Sequence, residues 1–543
     1  MKVIDRLKYI INTTTLAITT SVVFLISIIP IVMVGMVNRA TADDFGYSWG
    51  THHAWLETGS LIEVIKAAGE MVRDTYHIYQ GTWSSVFLFT LQPEVFSNKA
   101  YPLVTFASLL LTIALNSLLL HYLLVKIVKF PFPRFMFINA LFLLINIHFV
   151  DSYRSAFFWQ IGVVHYQIPY LFCLMIIILV LRYTKTYKKH TLALICVIAT
   201  FLGGSNYQAV LFSLSIMMIA ILVMQVAYRE KRVYWLLLPM ILELSGLIIS
   251  MKSPGNSIRG GPDFGFTLER FGEAIFISLK LAFRDIGAYI IEKPLMIVLL
   301  LFMMIAIFFT FLKITEQRLQ YPLPGLVFIV TFLIFAAMQT PQIFAGVSIY
   351  ARTAVVHMSQ GLTPEFPDGG LGTSGGVWNF SLYVFTLMVL VNGVYFIGWL
   401  FTKYGNKIKS ISSLLWLKGM ISFNVLVLAV TLMLLLSPTQ EIGINRTTFN
   451  VCYSYLVSGR AETYKNHMRL QTAILLNAQG IDVVVPETDS WQGPLYNSVL
   501  TGDPNAFTNR VTSLYYKTES IIAINRFTWN ELYGHMWDEY IIE

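Results

Sequence analysis

Two adjacent carboxylates, Asp43 and Asp44, follow directly after the first long apolar stretch, in the sequence ADDFGY. Neighbouring carboxylates at a membrane surface repel each other and are partly desolvated, so their pKa values rise toward the range useful for abstracting a proton. The alternative interpretation is a helix cap, because aspartate is a favoured N-cap residue. The pair therefore predicts either a general base or the start of a helix.

Basic side chains occur in later loops that the charge distribution places on the same side of the membrane. Arg259 lies in KSPGNSIR and Arg352 in YARTAVVH. A guanidinium makes charge-assisted, bidentate contacts with phosphate, so either arginine suits a lipid phosphate. The alternative interpretation is an anchor to lipid headgroups. His165, at the start of an apolar stretch, is expected to face the bundle interior or a cavity.

Aromatic and amide side chains near the same predicted loops are candidates for lining a substrate cavity. Trp159 and Tyr166 equally suit the aromatic belt at the membrane boundary. Glu243 lies in the middle of an apolar stretch, where an acid needs a partner or water, so it is either functional or paired within the structure. The candidate cavity residues are Tyr47, Trp83, Trp159, Tyr166, Asn206, Gln208 and Glu243.

The composition indicates that lipid is the main solvent. The chain has 543 residues, 56% of them hydrophobic and 13% charged, and a mean hydropathy of +0.64. Soluble domains carry about 25% charged residues. The net charge of +8 is explained by membrane topology, so no nucleic-acid partner is expected. The three cysteines form no metal-binding spacing, and no metal or other cofactor is indicated.

About eleven apolar stretches are long enough to predict membrane-spanning helices. They lie near residues 12–37, 102–125, 135–150, 161–181, 191–206, 208–227, 234–250, 294–312, 325–341, 380–401 and 418–437. The predicted fold class is an all-α polytopic membrane bundle, residues 1–437, followed by a small α/β domain, residues 438–543.

Lysine and arginine predict the orientation of these spans. The N-terminal tail and the short loops on its side carry them at about four times the density of the opposite side, which places the N-terminus in the cytoplasm. Ala40-Thr41-Ala42 has the small residues of a signal cleavage site, but the apolar stretch before it is too long, which favours an uncleaved anchor. The C-terminal domain is then extracytoplasmic.

The outer side holds most of the residues outside the membrane, and such long loops usually carry function. The first loop, 38–101, contains an amphipathic helix at 59–79 that is expected to lie on the membrane. The glycine-rich stretch 361–376 is interpreted as a mobile lid. The tail is expected to form helices at 461–479 and 504–516 and strands at 481–485 and 520–524.

The order of these motifs resembles a known family. One span, ADDFGY, an amphipathic helix and a YxGxxS-like segment are followed by FWQIGVVHYQIPY, GGSNYQ, SPGNSIR and NRVTSLYYKTESIIAI. This layout resembles bacterial polytopic membrane proteins of the DUF6056 type, which are similar to the GT-C superfamily of glycosyltransferases. The resemblance covers nearly the whole chain. Two departures are Gly81-Thr82, where the family often has Gly-Arg, and Asn206-Tyr207-Gln208, where it has a turn with a glutamate.

The resemblance implies a bacterial cytoplasmic-membrane enzyme that transfers a sugar, with inversion, from a polyprenyl-phosphate donor to a surface glycopolymer. The general base would be Asp43 or Asp44, with Asp44 preferred. The donor phosphate would bind Arg259, Arg352, Lys252 and His165. No nucleotide-binding site is required, and no metal is indicated, although the sequence leaves a metal requirement open.

Two other function classes remain open at this point. A lipid-linked sugar flippase or transporter explains many spans, but transporters usually have internal repeats and interrupted helices at matched positions. A polysaccharide polymerase or ligase shares the compartment and the lipid donor, and such enzymes more often depend on arginine and histidine in large outer loops. The acidic pair in the first loop favours the transferase.

Overall fold

The computed structural model is an all-helical membrane bundle with very little sheet. It describes residues 13–260, 268–313, 321–341, 375–411, 428–435, 447–488, 493–495 and 498–537. The helices, in chain order, are α1 Thr13–Met36, α2 Asp43–Thr58, α3 Leu61–Ile78, α4 Trp83–Phe89, α5 Pro102–Ile127, α6 Phe132–His148, α7 Gln160–Thr186, α8 Lys189–Gly203, α9 Tyr207–Tyr228, α10 Lys231–Met251, α11 Pro254–Gly260, α12 Leu268–Glu292, α13 Pro294–Lys313, α14 Pro324–Ala337, α15 Gly375–Ile411, α16 Thr448–Val457, α17 Arg460–Leu476, α18 Phe507–Tyr516 and α19 Arg526–Tyr533.

Within the described residues, seven helices are long and apolar enough to cross a membrane: α1, α5, α7, α9, α10, α13 and α15. Three shorter apolar helices, α6, α8 and α14, coincide with predicted spans at 135–150, 191–206 and 325–341. Of the predicted span at 418–437, the structure describes residues 428–435, which are helical. The membrane bundle is therefore confirmed, and the number of eleven spans stays a prediction.

Local sequence explains where several helices begin and end. Proline fixes its own φ near the helical value and lacks an amide hydrogen that the first turn cannot use, so it is favoured at a helix start. Pro102, Pro254, Pro294 and Pro324 each begin a helix here. Helix α2 ends at Gly59, whose φ of +61° is a left-handed conformation that glycine adopts without steric cost.

The loops that the sequence predicts on the outer side are more helical than expected. The predicted amphipathic helix at 59–79 is confirmed as α3, which buries Val64 and Ala68 and exposes Ile62 and Ile65. The region 251–293, expected to be a loop, contains the short α11 and the 25-residue α12. Helix α12 alternates apolar and charged residues, so no apolar run marked it as a span. The proposed lid falls mostly outside the described residues, which resume at 375.

The C-terminal segment, which is named here for residues 447–537, contains the expected strands. Strand β1, Asp482–Pro486, pairs in parallel with β2, Ser520–Ile524, with Val484 opposite Ile522. Its apolar core is shared with the first loop, because Phe45 and Tyr101 cluster with Leu470, Ile521 and other residues of the segment. The segment thus packs on the helix that begins with the two aspartates.

Candidate functional site

The two aspartates lie in the first turn of α2, and their side chains have different surroundings. Carboxylates are favourable there because the helix dipole is positive at its N-terminus. The N-cap residue itself is Ala42, and no side chain caps the helix. Asp44 is only 1% exposed, whereas Asp43 is partly exposed. The pair therefore does not act as one acidic unit.

Asp44 is held inside the protein by hydrogen bonds to one of its oxygens. The Tyr101 hydroxyl donates to Oδ2 over 2.6 Å, and the Thr41 amide donates to the same atom over 3.2 Å. Burial raises the pKa of Asp44 to about 7, against the lowering effect of these hydrogen bonds. A carboxyl group in this position anchors the start of α2 to the start of α5. Its burial makes it a poorer choice than Asp43 for contact with an acceptor.

The raised pKa of Asp44 predicts a pH-dependent stability. Its folded-state pKa, about 7, exceeds the ordinary value of 3.8, so the folded protein holds this proton more tightly. The contribution is fully present below about pH 4 and is lost as the pH rises through about 7. We expect the thermal unfolding midpoint in detergent to fall between pH 5 and pH 8, and Asp44→Asn to flatten that dependence. An equal slope in the variant would contradict this role of Asp44.

Asp43 shares one face of α2 with Tyr47, because residues four apart are neighbours on a helix. Burial raises the pKa of the Tyr47 phenol, the charge of Asp43 raises it further, and the charge of Arg259 lowers it. Both charged groups therefore lie close enough to act on Tyr47. A carboxylate and a guanidinium that are 216 positions apart in the chain thus both act on the charge state of the same phenol.

A short hydrogen-bonded chain connects Tyr47 to Arg259. The side-chain amide of Gln80 donates through Nε2 to the Tyr47 hydroxyl over 3.3 Å, and Arg259 Nη1 donates to Gln80 Oε1 over 2.6 Å. The guanidinium also lies 4.6 Å from the centre of the Tyr79 ring, a favourable cation–π distance. Arg259 is exposed, so its remaining hydrogen-bond donors are accessible to a ligand.

His165 borders the same region from α7. Its Nδ1 lies 3.1 Å from the Ser85 hydroxyl, and its ring is 4.8 Å from that of Tyr166. Phe89 connects the two sides, with its ring 5.0 Å from Tyr47 and 6.0 Å from His165. The name "outer site" is used here for Asp43, Tyr47, Gln80, His165 and Arg259.

A network of side-chain hydrogen bonds holds α11, the short helix that carries Arg259. The Gly81 amide donates to Asn256 Oδ1 over 2.9 Å, and Asn256 Nδ2 donates to the Ser250 carbonyl over 2.7 Å. The Ser250 hydroxyl lies 2.8 Å from that of Tyr207. The end of α10, the start of α9 and the segment after α3 are therefore fixed to one another beside Arg259.

Gly81 is required by the close approach of two backbones. A Cβ atom at this position would lie 1.9 Å from the Ser250 carbonyl oxygen, a distance that forces the segments apart. We expect Gly81→Ala to destabilise the protein by about 1–3 kcal/mol, the range for overpacking, and to lower its thermal unfolding midpoint. Gly69→Ala is the control, because nothing lies within 4 Å of a Cβ there and α3 should gain stability. Equal effects of the two substitutions would contradict the steric argument.

The other candidate cavity residues have varied surroundings. Trp83 Nε1 donates to the Gly246 carbonyl over 3.4 Å. Trp159 packs in a small apolar cluster with Tyr47 and Phe89, which places it beside the outer site. Asn206 accepts from the Gln208 amide over 2.8 Å and so caps α9.

The remaining predicted site residues are not part of the outer site as defined above, and one of them lies outside the described residues. Gln208 is 2% exposed, and neither of its side-chain amide atoms has a hydrogen-bond partner among the described residues. Glu243 is fully buried and accepts a hydrogen bond from Ser213, as expected of a paired acid within a span. Lys252 is exposed at the end of α10. Arg352 lies outside the described residues.

Sequence reasoning missed several partners of the site. Gln80 and Ser85 lie in the segment YQGTWSS. The family resemblance singled out this segment but not these two side chains. Tyr101 carried no signal, since its role depends on Asp44, which is 57 positions earlier. Glu94 is 3% exposed, and burial raises its pKa to about 8. Its only sequence signal is a carboxylate after the proline of QPEV.

The part of the chain that the structure describes contains no group of three or more histidine, cysteine or acidic residues that could hold a metal ion. No protein-family model, curated protein or solved structure matches this chain. The outer site is therefore interpreted from its own geometry: a partly exposed carboxylate and an exposed guanidinium border one tyrosine, with a histidine nearby.

Proposed function

We propose that the protein is a membrane glycosyltransferase that moves a sugar from a polyprenyl-phosphate donor to a hydroxyl of a surface glycopolymer. The observation that carries this proposal is the hydrogen-bonded chain from Tyr47 through Gln80 to Arg259, with Asp43 one helical turn before Tyr47. A sugar phosphate is already activated, so the reaction needs a base for the acceptor, a cation for the departing phosphate, and positioning. The outer site supplies groups for each task.

The reaction would proceed in one displacement. The acceptor hydroxyl oxygen forms a bond to the anomeric carbon on the face opposite the phosphate, and Asp43 takes the hydroxyl proton. The bond between the anomeric carbon and the phosphate oxygen breaks, and the electron pair leaves with the lipid phosphate. Arg259 stabilises the charge that develops on that phosphate, and the anomeric configuration is inverted.

The surroundings of the outer site suit a lipid-linked donor. Arg259 lies just beyond the end of α10, one of the helices long enough to span the membrane. Helix α3, which precedes Gln80, exposes Leu61, Ile62 and Ile65, as a helix in contact with acyl chains would. A donor could then approach from the bilayer while its phosphate remains at the boundary. We assign this side to the outer face of the bacterial cytoplasmic membrane, with the N-terminus in the cytoplasm.

The test is the sugar composition of the surface polysaccharide in a deletion strain complemented with the wild-type chain. We expect one side-chain sugar to be absent from the deletion strain and restored by the wild type. In parallel, purified protein given a polyprenyl-phosphate sugar and the isolated surface glycopolymer as acceptor should release polyprenyl phosphate and glycosylate the polymer. Loss or shortening of the whole polymer would instead favour a polymerase or ligase. Accumulation of the lipid-linked sugar in the inner leaflet would favour a flippase.

A further inference from the structure

A large cavity lies inside the membrane bundle. Its volume is about 360 Å³, within the range of about 300–1,000 Å³ that small-molecule sites have. Helices α5, α7, α9, α14 and α15 form its walls. The walls extend from Leu119, which is fully buried, to Val223, which is 50% exposed. The cavity therefore opens at the side of the bundle, near the end of α9.

The walls of this cavity are apolar. Of the described residues that line it, only Thr184 and Thr331 carry a hydroxyl group. The Thr184 hydroxyl donates to the Leu181 carbonyl over 3.2 Å, and the Thr331 hydroxyl donates to the Val327 carbonyl over 2.9 Å. A buried water needs two to four polar partners, which these walls do not offer. The cavity therefore suits a hydrocarbon chain, which makes dispersion contacts with all of its walls.

This cavity is remote from the outer site. On α7, the first residue of the cavity wall is Ile177, which lies about 18 Å along the helix beyond His165 of the outer site. The wall continues to Thr184, close to the end of α7. The cavity thus occupies the half of the bundle opposite the outer site, so a lipid that enters it belongs to the other leaflet.

Positive charge borders the cavity where α5 and α7 end. Lys185 follows Thr184 of the wall, and its Nζ lies 5.2 Å from the centre of the Tyr122 ring, a favourable cation–π distance. Lys126 follows Leu123 of the wall by three positions on α5. Both lysines are exposed, so their ammonium groups are accessible to an anion at the membrane boundary.

The end of α5 also has an uncommon backbone conformation. Residues His121–Ile127 form a π-helix, a form that is rare and occurs frequently at functional sites. This stretch carries Leu123 of the cavity wall, Lys126 and the ring beneath Lys185. Neither 121–134 nor 182–190 contains an acidic residue. The apolar cavity and an uncompensated positive boundary therefore meet at one place.

We propose that this cavity binds an acyl chain of an anionic glycerophospholipid whose phosphate contacts Lys185 and Lys126. Basic residues at the boundary attract an anionic headgroup, and pockets between membrane helices bind such lipids. A zwitterionic lipid offers the same chains without the net charge. The sugar donor is not the occupant, because its phosphate is assigned to Arg259 at the opposite boundary. The inference is independent of the proposed function, and the predicted orientation places the site in the cytoplasmic leaflet.

The test is a lipid titration of the purified, delipidated full chain in detergent, measured by native mass spectrometry. The probes are dioleoylphosphatidylglycerol, dioleoylphosphatidylcholine and undecaprenyl phosphate. We expect phosphatidylglycerol to bind roughly 10- to 30-fold more tightly than phosphatidylcholine, since each lysine near an anionic headgroup contributes about fivefold in affinity. Lys185→Ala and Lys126→Ala should each weaken phosphatidylglycerol binding about fivefold.

A second set of variants tests the cavity itself. Ala220 lines it, so Ala220→Phe places a ring where the acyl chain lies. We expect the affinity for phosphatidylglycerol to fall about 5- to 150-fold, the range for forcing extra atoms into an occupied space. Ala220→Leu is a smaller change with the same direction of effect, and it keeps the test decisive if the phenylalanine variant misfolds. Unfolding midpoints identify such a variant.

Two controls match these changes. Lys313→Ala removes a positive charge from the end of α13, a helix that does not line the cavity. Ala193→Phe adds a ring on the exposed face of α8, which does not line it either. Both should bind phosphatidylglycerol as the wild type does. The proposal is overturned if the two phospholipids bind equally, if folded Ala220 variants retain wild-type affinity, or if undecaprenyl phosphate binds at least as tightly as phosphatidylglycerol.

Discussion

Replacing Asp43 with asparagine is expected to reduce sugar transfer by about 10²- to 10⁴-fold, the usual contribution of a general base. Asparagine keeps the shape and polarity of the side chain but cannot accept the acceptor proton. Asp44→Asn should retain transfer within about tenfold, because the carboxyl of Asp44 is buried against Tyr101 and asparagine can still accept that hydrogen bond. The measurement is the initial rate of polyprenyl phosphate release by purified protein.

This pair of variants separates catalysis from folding within one dipeptide. Both proteins should be recovered in the membrane at wild-type levels, and their unfolding midpoints identify any that are misfolded. If Asp44→Asn were inactive and Asp43→Asn active, the base would be Asp44, as the family resemblance preferred. If both variants transferred sugar at the wild-type rate, neither carboxylate would be the base and the proposed mechanism would be wrong.

Replacing Arg259 with alanine is expected to reduce transfer by about 10²- to 10³-fold, as for removal of one donor that stabilises developing negative charge. Arg259→Lys should recover only part of that loss, because an ammonium group cannot make the bidentate contact of a guanidinium. A lysine would also lose the contact of the guanidinium with the Tyr79 ring, whose centre lies 4.6 Å away. The dependence of the initial rate on donor concentration separates donor affinity from turnover.

Arg73→Ala is the control for this prediction. Arg73 also lies in the first loop, but it is 68% exposed and pairs with Asp74 on the surface of α3. Its removal should change the rate by less than about threefold, since exposed ion pairs contribute little. An equal loss in the Arg73 and Arg259 variants would indicate a general effect of surface charge on the anionic donor rather than a phosphate contact.

The membrane bundle could be predicted from sequence because a span leaves a local signal. An apolar run of about 20 residues has few alternatives to a membrane helix, so α1 and α13 were assigned nearly to their ends. This signal is absent from α12, where charged residues interrupt the apolar ones, so the region was expected to be a loop rather than a helix. The strands of the C-terminal segment were also found, because Ser520–Ile524 is a short apolar run rich in isoleucine.

The outer site was only partly predictable, since the sequence identifies residue types but not where their side chains point or what they contact. The pair Asp43-Asp44 was recognised, yet the different surroundings of the two side chains depend on contacts made far along the chain. Arg259 was chosen for its chemistry, whereas Gln80, which connects it to Tyr47, had no distinguishing pattern. A hydrogen bond between residues 179 positions apart leaves no mark in either segment.

The core that the first loop shares with the C-terminal segment has a consequence for biogenesis. His52 stacks on the ring of Tyr515 at 4.1 Å, and His53 Nε2 donates to the Tyr515 carbonyl over 3.1 Å, across 462 positions of sequence. These contacts cannot form until the ribosome has made the chain as far as Tyr515. The face of α2 that packs on the C-terminal segment therefore stays uncovered until then, and chains terminated before Tyr515 lack this support for the helix that carries Asp43.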